Sequence, residues 1–245
     1  MRAEGFRESE RLKSALLDAV THNLRTPLTS IKASATALLS DAGKSLDEDA
    51  RRELLSVVGE EAERLNTFVG DLIGLAQIEA GDFRLTREWC SIEDVIIAAS
   101  ARLGQRAQRQ RVRSEIPTDL PVVLADARAL AESVYQLLEN ALKYSPARSG
   151  VRVSALAERG YVDIVIEDQG GGVPVEDRDR IFEKFHRGKD SGQSGLGMGL
   201  AIARGLARAH GGDVSVTSRA EDGAAGTGGS RFVVHVPIGD DDTTG

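Results

Sequence analysis

The chain has 245 residues, with 31 basic and 38 acidic side chains and a formal net charge of −7. This length allows one large domain or two smaller ones, and the negative charge argues against a general nucleic-acid-binding surface. The sequence has no apolar run near the roughly 20 residues that span a bilayer, no secretory signal and a single cysteine, Cys90, which excludes an internal disulfide. We therefore expect a cytoplasmic chain. The possibility that it is the output part of a longer membrane protein with an upstream sensor domain stays open.

Two long amphipathic helices are predicted first. Apolar residues recur at alternating spacings of four and three, which is a heptad pattern. The first helix ends near Gly43, and the second begins at Ser45–Glu48, a capping-box pattern, and ends at Gly81. Such a hairpin has too little core to stand alone, so we expect a homodimer that forms a four-helix bundle. The two stripes are Leu17, Thr21, Leu24, Leu28, Ile31, Ala35 and Leu38, and Val58, Ala62, Leu65, Val69, Leu72 and Ala76.

From residue 83 onward, shorter elements alternate. Strand patterns cover 83–89, 112–116, 151–156, 161–166, 214–217 and 231–236, and helix patterns cover 92–108, 126–144, 176–185 and 199–210. Ser91 and Asp126 are placed to cap two of these helices, and Arg159-Gly160 makes a hairpin turn. The acidic tail from residue 239 is expected to be disordered. Helices with mostly hairpin-linked strands predict an α+β two-layer sandwich.

Two glycine-rich patterns are candidate ligand loops. Asp168, Gly170 and Gly172 follow a predicted strand, so the carboxylate could accept a hydrogen bond from an exocyclic amine such as that of adenine. Taken alone, this pattern is more often a turn. The second pattern, Gly195, Gly197 and Gly199, precedes a helix, where backbone N–H groups can face phosphate oxygens. Taken alone, it is more often a flexible loop, and it lacks the P-loop lysine.

Polar residues also share one face of the helix predicted to end at Tyr144. Gln136, Asn140 and Lys143 are separated by four and three residues, so they lie on the same face. An amide oxygen can ligate Mg²⁺, Lys143 can offset phosphate charge, and Tyr144 can pack on a base. A solvated polar face is the alternative for this segment alone.

His22 lies beside the first apolar stripe, so its imidazole should be partly exposed. Pro27, five residues later, is predicted to interrupt the helix, because a mid-helix proline costs about 3 kcal/mol. A neutral imidazole is a competent nucleophile. His22 is therefore a candidate phosphate acceptor, although most surface histidines are inert.

Taken together, these patterns resemble the sensor histidine kinases of two-component systems over about residues 9–238. The segment His22–Pro27 resembles the H box, Gln136–Tyr144 the N box, Asp168–Gly172 the G1 box, Ile181–Arg187 the F box and Gly195–Leu200 the G2 box. A shorter similarity, over Gly81–Trp89, is to potassium-sensing kinases of the Kdp type.

The resemblance implies four segments. Residues 1–8 would be a linker helix, 9–82 a dimerisation and histidine-phosphotransfer domain, 83–238 an ATP-binding domain of the GHKL superfamily with a lid around 172–196, and 239–245 a tail. The chain would bind ATP and Mg²⁺, phosphorylate His22 and pass the phosphoryl group to a response regulator.

The resemblance also assigns residues to these tasks. Asn140, helped by Gln136, would hold Mg²⁺, and Asp168 would bind adenine. The remaining nucleotide contacts would come from Lys143, Tyr144, Gly170, Gly172, Lys184, Arg187, Gly195, Gly197, Gly199 and Leu200.

Asn23 departs from the family pattern, which has Glu or Asp directly after the histidine as a proton acceptor. An amide cannot accept a proton as a carboxylate can. Thr26 matches the threonine that family phosphatases use. Two alternatives to a kinase therefore stay open, a response-regulator phosphatase and an ATP-binding pseudokinase scaffold. A Gln at 136, where ATP-hydrolysing relatives have Glu, favours transfer to histidine over hydrolysis.

Overall fold

The computed structural model describes residues 2–40, 45–81, 84–103, 112–146, 149–186, 197–218 and 228–239, with the backbone alone for residues 2–19. The chain forms two compact units, one built from residues 1–74 and one that begins at Leu75. Helix α1 (Arg2–Leu39) and most of helix α2 (Glu48–Ala80) belong to the first unit.

Helix α1 continues through Pro27, so the predicted interruption is wrong. Proline removes one backbone donor, the one that would bond the carbonyl of Asn23. Hydroxyl groups on either side of it donate to other carbonyls of the same helix. The Oγ1 atom of Thr26 donates to the carbonyl of His22 at 3.2 Å, and that of Thr29 donates to the carbonyl of Arg25 at 2.8 Å. His22 therefore lies within an uninterrupted helix.

The start of α2 differs from the predicted capping box. Asp47, and not Ser45, is the capping residue, because its Oδ1 accepts the N–H of Ala50 at 2.7 Å. The helix then begins at Glu48. At its other end Gly81 has a φ of 65°, the left-handed conformation expected of a terminating glycine. The predicted terminator of α1, Gly43, lies outside the described residues.

The predicted stripes of the first unit are only partly covered within one chain. Leu24, Ile31, Val58 and Leu65 are half-buried. Leu28 is 59% exposed, Val69 44% and Leu72 36%. Apolar surface remains exposed on both helices, so this face has area available for burial against another molecule.

The second unit contains a five-stranded sheet in the order β2-β4-β5-β7-β6. Its strands are β2 (Val112–Glu115), β4 (Val151–Glu158), β5 (Tyr161–Glu167), β6 (Asp213–Ser218) and β7 (Ser230–Pro237). The β2–β4 pair is parallel and the others are antiparallel. Strands β1 (Glu88–Cys90) and β3 (Val123–Ala125) form a separate antiparallel pair.

Among the described residues, the second unit also contains the end of α2 and the helices α3 (Ile92–Arg102), α4 (Ala127–Tyr144) and α5 (Gly199–Ala209). The apolar faces of α3, α4 and α5 share one core with the sheet, in which Ile96, Leu138, Ile164, Phe232 and Ala203 are buried. Alternate strand residues point into this core, as the period of a strand requires. The two-layer α+β arrangement predicted from the sequence is confirmed.

Several predicted boundaries in the second unit are wrong. The strand predicted over 83–89 is limited to Glu88–Cys90 because its partner β3, absent from the prediction, is three residues long. Helix α3 begins after its predicted cap Ser91 but ends at Arg102, while residues 104–108 of the predicted extension lie outside the described residues. The helix predicted over 176–185 is two 3₁₀ turns, Val175–Asp177 and Arg180–Phe182.

Asp126 joins the start of α4 to the end of α5. Its Oδ1 accepts the N–H groups of Arg128 and Ala129, both at 3.1 Å, and its Oδ2 accepts the N–H of Thr86 at 3.0 Å. Its own N–H donates to Nε2 of His210 at 3.1 Å. Burial lowers the pKa of His210 and favours the neutral ring that this bond needs. The orientation of α4 is thus fixed at its first turn.

In the described part of the chain, no helix combines the length and apolar character needed to cross a membrane.

Replacing Asp126 with alanine should lower the free energy of unfolding by about 1–2 kcal/mol, because a helix cap is lost. The measurement is urea unfolding followed by circular dichroism. Asp119→Ala, at an exposed position before β3, is the control and should change stability by less than about 0.5 kcal/mol. Equal effects of the two substitutions would contradict the capping role of Asp126.

Candidate functional site

Asp168 is a buried carboxylate, 2% exposed, directly after β5. Its Oδ1 accepts the N–H of Gly170 at 2.7 Å and the N–H of Ser230 at 3.1 Å. Its own N–H donates to the carbonyl of Ser230 at 3.0 Å. These backbone hydrogen bonds satisfy a polar group that would be costly to bury without partners. Asp168 is therefore a rigid acceptor at the junction of β5 and β7.

The glycines after Asp168 allow a close backbone approach to the end of α4. A Cβ on Gly170 would lie 2.8 Å from the carbonyl oxygen of Tyr144, and Gly172 has a φ of 79°. The N–H of Gln169 donates to Oγ of Ser145 at 3.3 Å. The loop after β5 and the last turn of α4 therefore form one connected structure.

Helix α4 carries the candidate metal and phosphate residues. Gln136 is 4% exposed, and its Nε2 donates to Oε1 of Glu132 at 2.8 Å. Asn140 and Lys143 are half-buried, and Nζ of Lys143 lies 5.3 Å from the ring centroid of Tyr144. Among the described residues, no cluster of three His, Cys, Asp or Glu side chains could hold a metal ion. A cation here would depend on amide and phosphate oxygens.

The first turn of α5 lies against the middle of α4. A Cβ on Gly199 would lie 2.5 Å from Oε1 of Gln136, and Leu200 packs on the core. Gly197 has a φ of 70°, and its carbonyl accepts the N–H of Phe185 at 3.1 Å. Gly197 requires glycine because its φ is positive and a Cβ there would meet the backbone of His186, whereas a Cβ on Gly199 would meet the end of the Gln136 side chain. Of the candidates in this loop, Gly195 and Arg187 lie outside the described residues.

The structure thus brings the candidates of the second unit together along α4. Gly197 and Gly199 lie near Gln136, and Gly170 lies at Tyr144. Asn140 is one helical turn from both Gln136 and Tyr144. Three patterns that are far apart in sequence therefore meet beside one helix.

Charged side chains hold the segment around Phe182. The guanidinium of Arg204 lies 4.7 Å from the ring centroid of Phe182, and its Nε donates to Oδ1 of Asp213 at 2.7 Å. The hydrogen bonds from Arg204 hold the pKa of Asp213 well below its usual range. Beyond Phe182, Lys184 forms an ion pair with Glu79, in the last turn of α2 that belongs to the second unit.

Sequence reasoning missed four residues of this site: Ser145, Ser230, Arg204 and Asp213. Serine after a helix and serine at the start of a strand carry no distinctive local pattern. Arg204 is one of two arginines on α5, and its sequence neighbours do not distinguish it from Arg208. Its position five residues after Gly199 was the one signal that could have directed attention to it.

The first unit carries the candidate acceptor. His22 is exposed on α1, Asn23 is half-buried beside it, and Thr26 is exposed one turn later. The hydroxyl of Thr26 donates to the carbonyl of His22. The imidazole is accessible to an incoming electrophile, as a nucleophile must be.

Two family models match the chain. Residues 12–81 match the His Kinase A (phospho-acceptor) domain. Residues 125–240 match the histidine kinase-, DNA gyrase B- and HSP90-like ATPase.

Curated relatives are similar over most of this chain. Sensor protein KdpD of Escherichia coli is 33% identical over 218 residues, which are 89% of this chain and 24% of KdpD. The histidine-protein kinase/phosphatase MprB of Mycolicibacterium smegmatis is 34% identical over 227 residues, which are 88% of this chain and 44% of MprB. The chain therefore spans about a quarter of the length of KdpD and less than half of MprB.

Two solved structures are also similar. The mycobacterial sensor histidine kinase MprB is 31% identical with a TM-score of 0.53, covering 62% of this chain and 97% of that one. Full-length ShkA in complex with AMPPNP is 25% identical with a TM-score of 0.64, covering 91% of this chain and 46% of that one.

Gly170→Ala should lower the free energy of unfolding by about 1–3 kcal/mol, because its Cβ would meet backbone atoms of Tyr144 that cannot move independently. Gly171→Ala is a matched control, since a Cβ there meets nothing within 4 Å. Thermal unfolding of both variants measures the difference. Similar midpoints would show that the loop does not need this close approach.

Proposed function

Because the chain belongs to the sensor histidine kinases and carries their catalytic core, we propose that it phosphorylates His22 with ATP·Mg²⁺ and passes the phosphoryl group to an aspartate of a response regulator. The observation that carries the proposal is the buried carboxylate of Asp168, held by backbone N–H groups, beside the Gly170 loop and the end of α4. Activities of the sensor parts of the longer relatives are not proposed for this chain.

The donor set of the second unit fits a purine nucleoside triphosphate. Asp168, as an acceptor, suits the exocyclic amine of adenine. Tyr144 is 43% exposed, which leaves part of its ring available to pack on the base. Lys143 and backbone N–H groups of residues 195–199 supply positive charge and donors for phosphate oxygens. Leu200, Lys184 and Arg187 complete the proposed nucleotide contacts.

Asn140 would hold Mg²⁺ through its amide oxygen, with Gln136 behind it. The ion neutralises charge on the phosphate oxygens when it is bound. The burial of Gln136 and its bond to Glu132 favour a supporting position for its side chain. Asn140, which is half-buried, is the better exposed of the two amides.

The chemical step balances as a substitution at the γ-phosphorus. A nitrogen of the His22 imidazole forms a P–N bond, the bond to the β-phosphate bridging oxygen breaks, and ADP leaves. The imidazole then loses its proton. Positioning and charge neutralisation carry most of such catalysis. Asn23 can orient the ring but cannot take the proton as a carboxylate would.

We further propose that residues 9–82 form the dimerisation and phosphotransfer domain, with 1–8 as a linker helix, and that residues 83–238 form the nucleotide domain, followed by a tail at 239–245. The compact units divide at Leu75, so the end of α2 belongs to the second unit. The helix itself continues to Ala80. A boundary in the loop after Gly81 keeps α2 whole, so it is the better place to divide the chain for expression.

A second candidate activity is removal of phosphate from the response regulator. Thr26 is exposed, one turn from His22, and could orient a water molecule. One relative is named a kinase/phosphatase. A scaffold without transfer is the third candidate, and Asn23 is the residue that favours it.

Asp168→Asn should weaken ATP binding roughly ten- to hundredfold, because loss of a charged hydrogen bond costs about 1.5–3 kcal/mol. Calorimetric titration measures the affinity. Asp119→Asn, on the surface, should leave it unchanged. If Asp168→Asn binds ATP as the wild type does, Asp168 does not recognise the nucleotide.

Asn23→Glu should speed autophosphorylation, because a positioned general base contributes about 10²–10⁴-fold to a proton transfer. The gain will be smaller where lid closure limits the rate. The measurement is acid-labile label from γ-labelled ATP, which His22→Gln should abolish. An unchanged or lower rate in Asn23→Glu would refute the role of proton acceptance. Label in Asn23→Glu alone, with none in wild type, would identify the native chain as a phosphatase or scaffold.

The chain should be a homodimer through the exposed apolar residues of its first unit, since each buried Leu or Val stabilises by about 1.5–3 kcal/mol. Lysine at both Val69 and Leu72 should produce monomers, as measured by light scattering at micromolar concentration. Glu63→Lys changes an exposed polar position of the same helix and should leave the dimer intact. A monomeric wild type would contradict the proposal.

A further inference from the structure

A serine, a histidine and an aspartate form a hydrogen-bonded row on the sheet of the second unit. Oγ of Ser215 on β6 lies 3.0 Å from Nε2 of His235 on β7. Nδ1 of His235 lies 2.7 Å from Oδ1 of Asp163 on β5. The three strands are adjacent in the sheet, and Asp163 is directly opposite His235.

This row lies on the face of the sheet opposite the helices. The neighbours of these residues along each strand, such as Val162, Val214 and Val234, are buried in the helix-side core. Side chains alternate along a strand, so Asp163, Ser215 and His235 point to the other face. Ser215 is exposed there and accessible to a reagent from solvent. Asp168 follows the opposite alternation, so the row is separate from the proposed nucleotide site.

The proton positions follow from the chemistry of the three groups. An ionised carboxylate can only accept, so Nδ1 of His235 donates its proton to Asp163. In the neutral imidazole, Nε2 is then an acceptor, and the hydroxyl of Ser215 donates to it. This is the order in which an aspartate orients a histidine and the histidine activates a serine.

The edge of the sheet supplies a further donor. The N–H of Val214 donates to Oδ1 of Asp213 at 2.8 Å, so it does not point to β7. Because N–H directions alternate along a paired strand, that of Val216 also points away from β7. This is the N–H of the residue after Ser215, a position from which hydrolases stabilise an oxyanion.

We propose that Ser215 is a nucleophile for acyl transfer from small carboxylic esters with good leaving groups. The Ser215 oxygen bonds to the acyl carbon, and the bond from that carbon to the alkoxy or aryloxy oxygen breaks. The hydroxyl proton passes to Nε2 of His235 and then to the departing oxygen. The products are an acyl-serine and the free alcohol or phenol. Ser215 is exposed while His235 and Asp163 are half-buried, so small esters, which need little room beside the hydroxyl group, are the substrates that fit.

The test is incubation of the full chain with p-nitrophenyl acetate, with the adduct located by peptide mass spectrometry. Ser215 should be acetylated at least about tenfold faster than Ser154, a serine on β4 that faces the same side of the sheet. Ser215→Ala should remove the adduct, while His235→Gln and Asp163→Asn should lower the labelling of Ser215 toward that of Ser154.

Thermal unfolding and ATP affinity of each variant show whether it is folded. If one of the His235 and Asp163 variants does not fold, the other still tests activation. Labelling of Ser215 no faster than Ser154, or an adduct on His235 alone, would overturn the proposal. So would an unchanged rate in either folded variant. None of these outcomes depends on whether the chain phosphorylates His22.

Discussion

The hydrogen bonds accepted by the buried carboxylate of Asp168 connect parts of the second unit that together form the proposed nucleotide site. Gly170 belongs to the loop after β5, and Ser230 begins β7. Through Gly170 the same loop touches the carbonyl of Tyr144 at the end of α4. A carboxyl group at 2% exposure needs hydrogen-bond donors around it, because burying it without partners is costly. The fold supplies these donors from backbone N–H groups and not from side chains.

Helix α4 is fixed at both ends and in its middle. Asp126 and His210 hold its first turn to the end of α5, and Ser145 holds its last turn to the loop after Asp168. Gly199 allows the start of α5 to approach Gln136. A helix held in this way keeps Asn140 and Lys143 in one position relative to Asp168. Preorganised charges of this kind are what phosphoryl transfer requires from a protein.

The two units differ in the kind of surface they present. The second unit holds buried polar residues such as Asp168, His210 and Gln136 in hydrogen bonds. The first unit keeps His22 exposed and leaves apolar residues of both helices in solvent. Exposure suits the role proposed for His22, which is to accept a phosphoryl group and pass it to another protein. Apolar exposure suits a helix pair whose core is completed by a second copy.

The sequence by itself determined the helix pair, the sandwich class, the family and the grouping of motifs, because periodicity and glycine chemistry are local properties. It also identified Ser91 and Asp126 as caps and Arg159-Gly160 as a turn, all present in the structure. Asp47 as the cap of α2, the passage of α1 through Pro27 and the short strand β3 were decided by neighbours along and across the fold. The contact of Arg204 with Phe182 and the row of Ser215, His235 and Asp163 also needed the tertiary structure. These residues lie on separate strands or elements, and only strand order and register determine which side chains come within hydrogen-bonding distance.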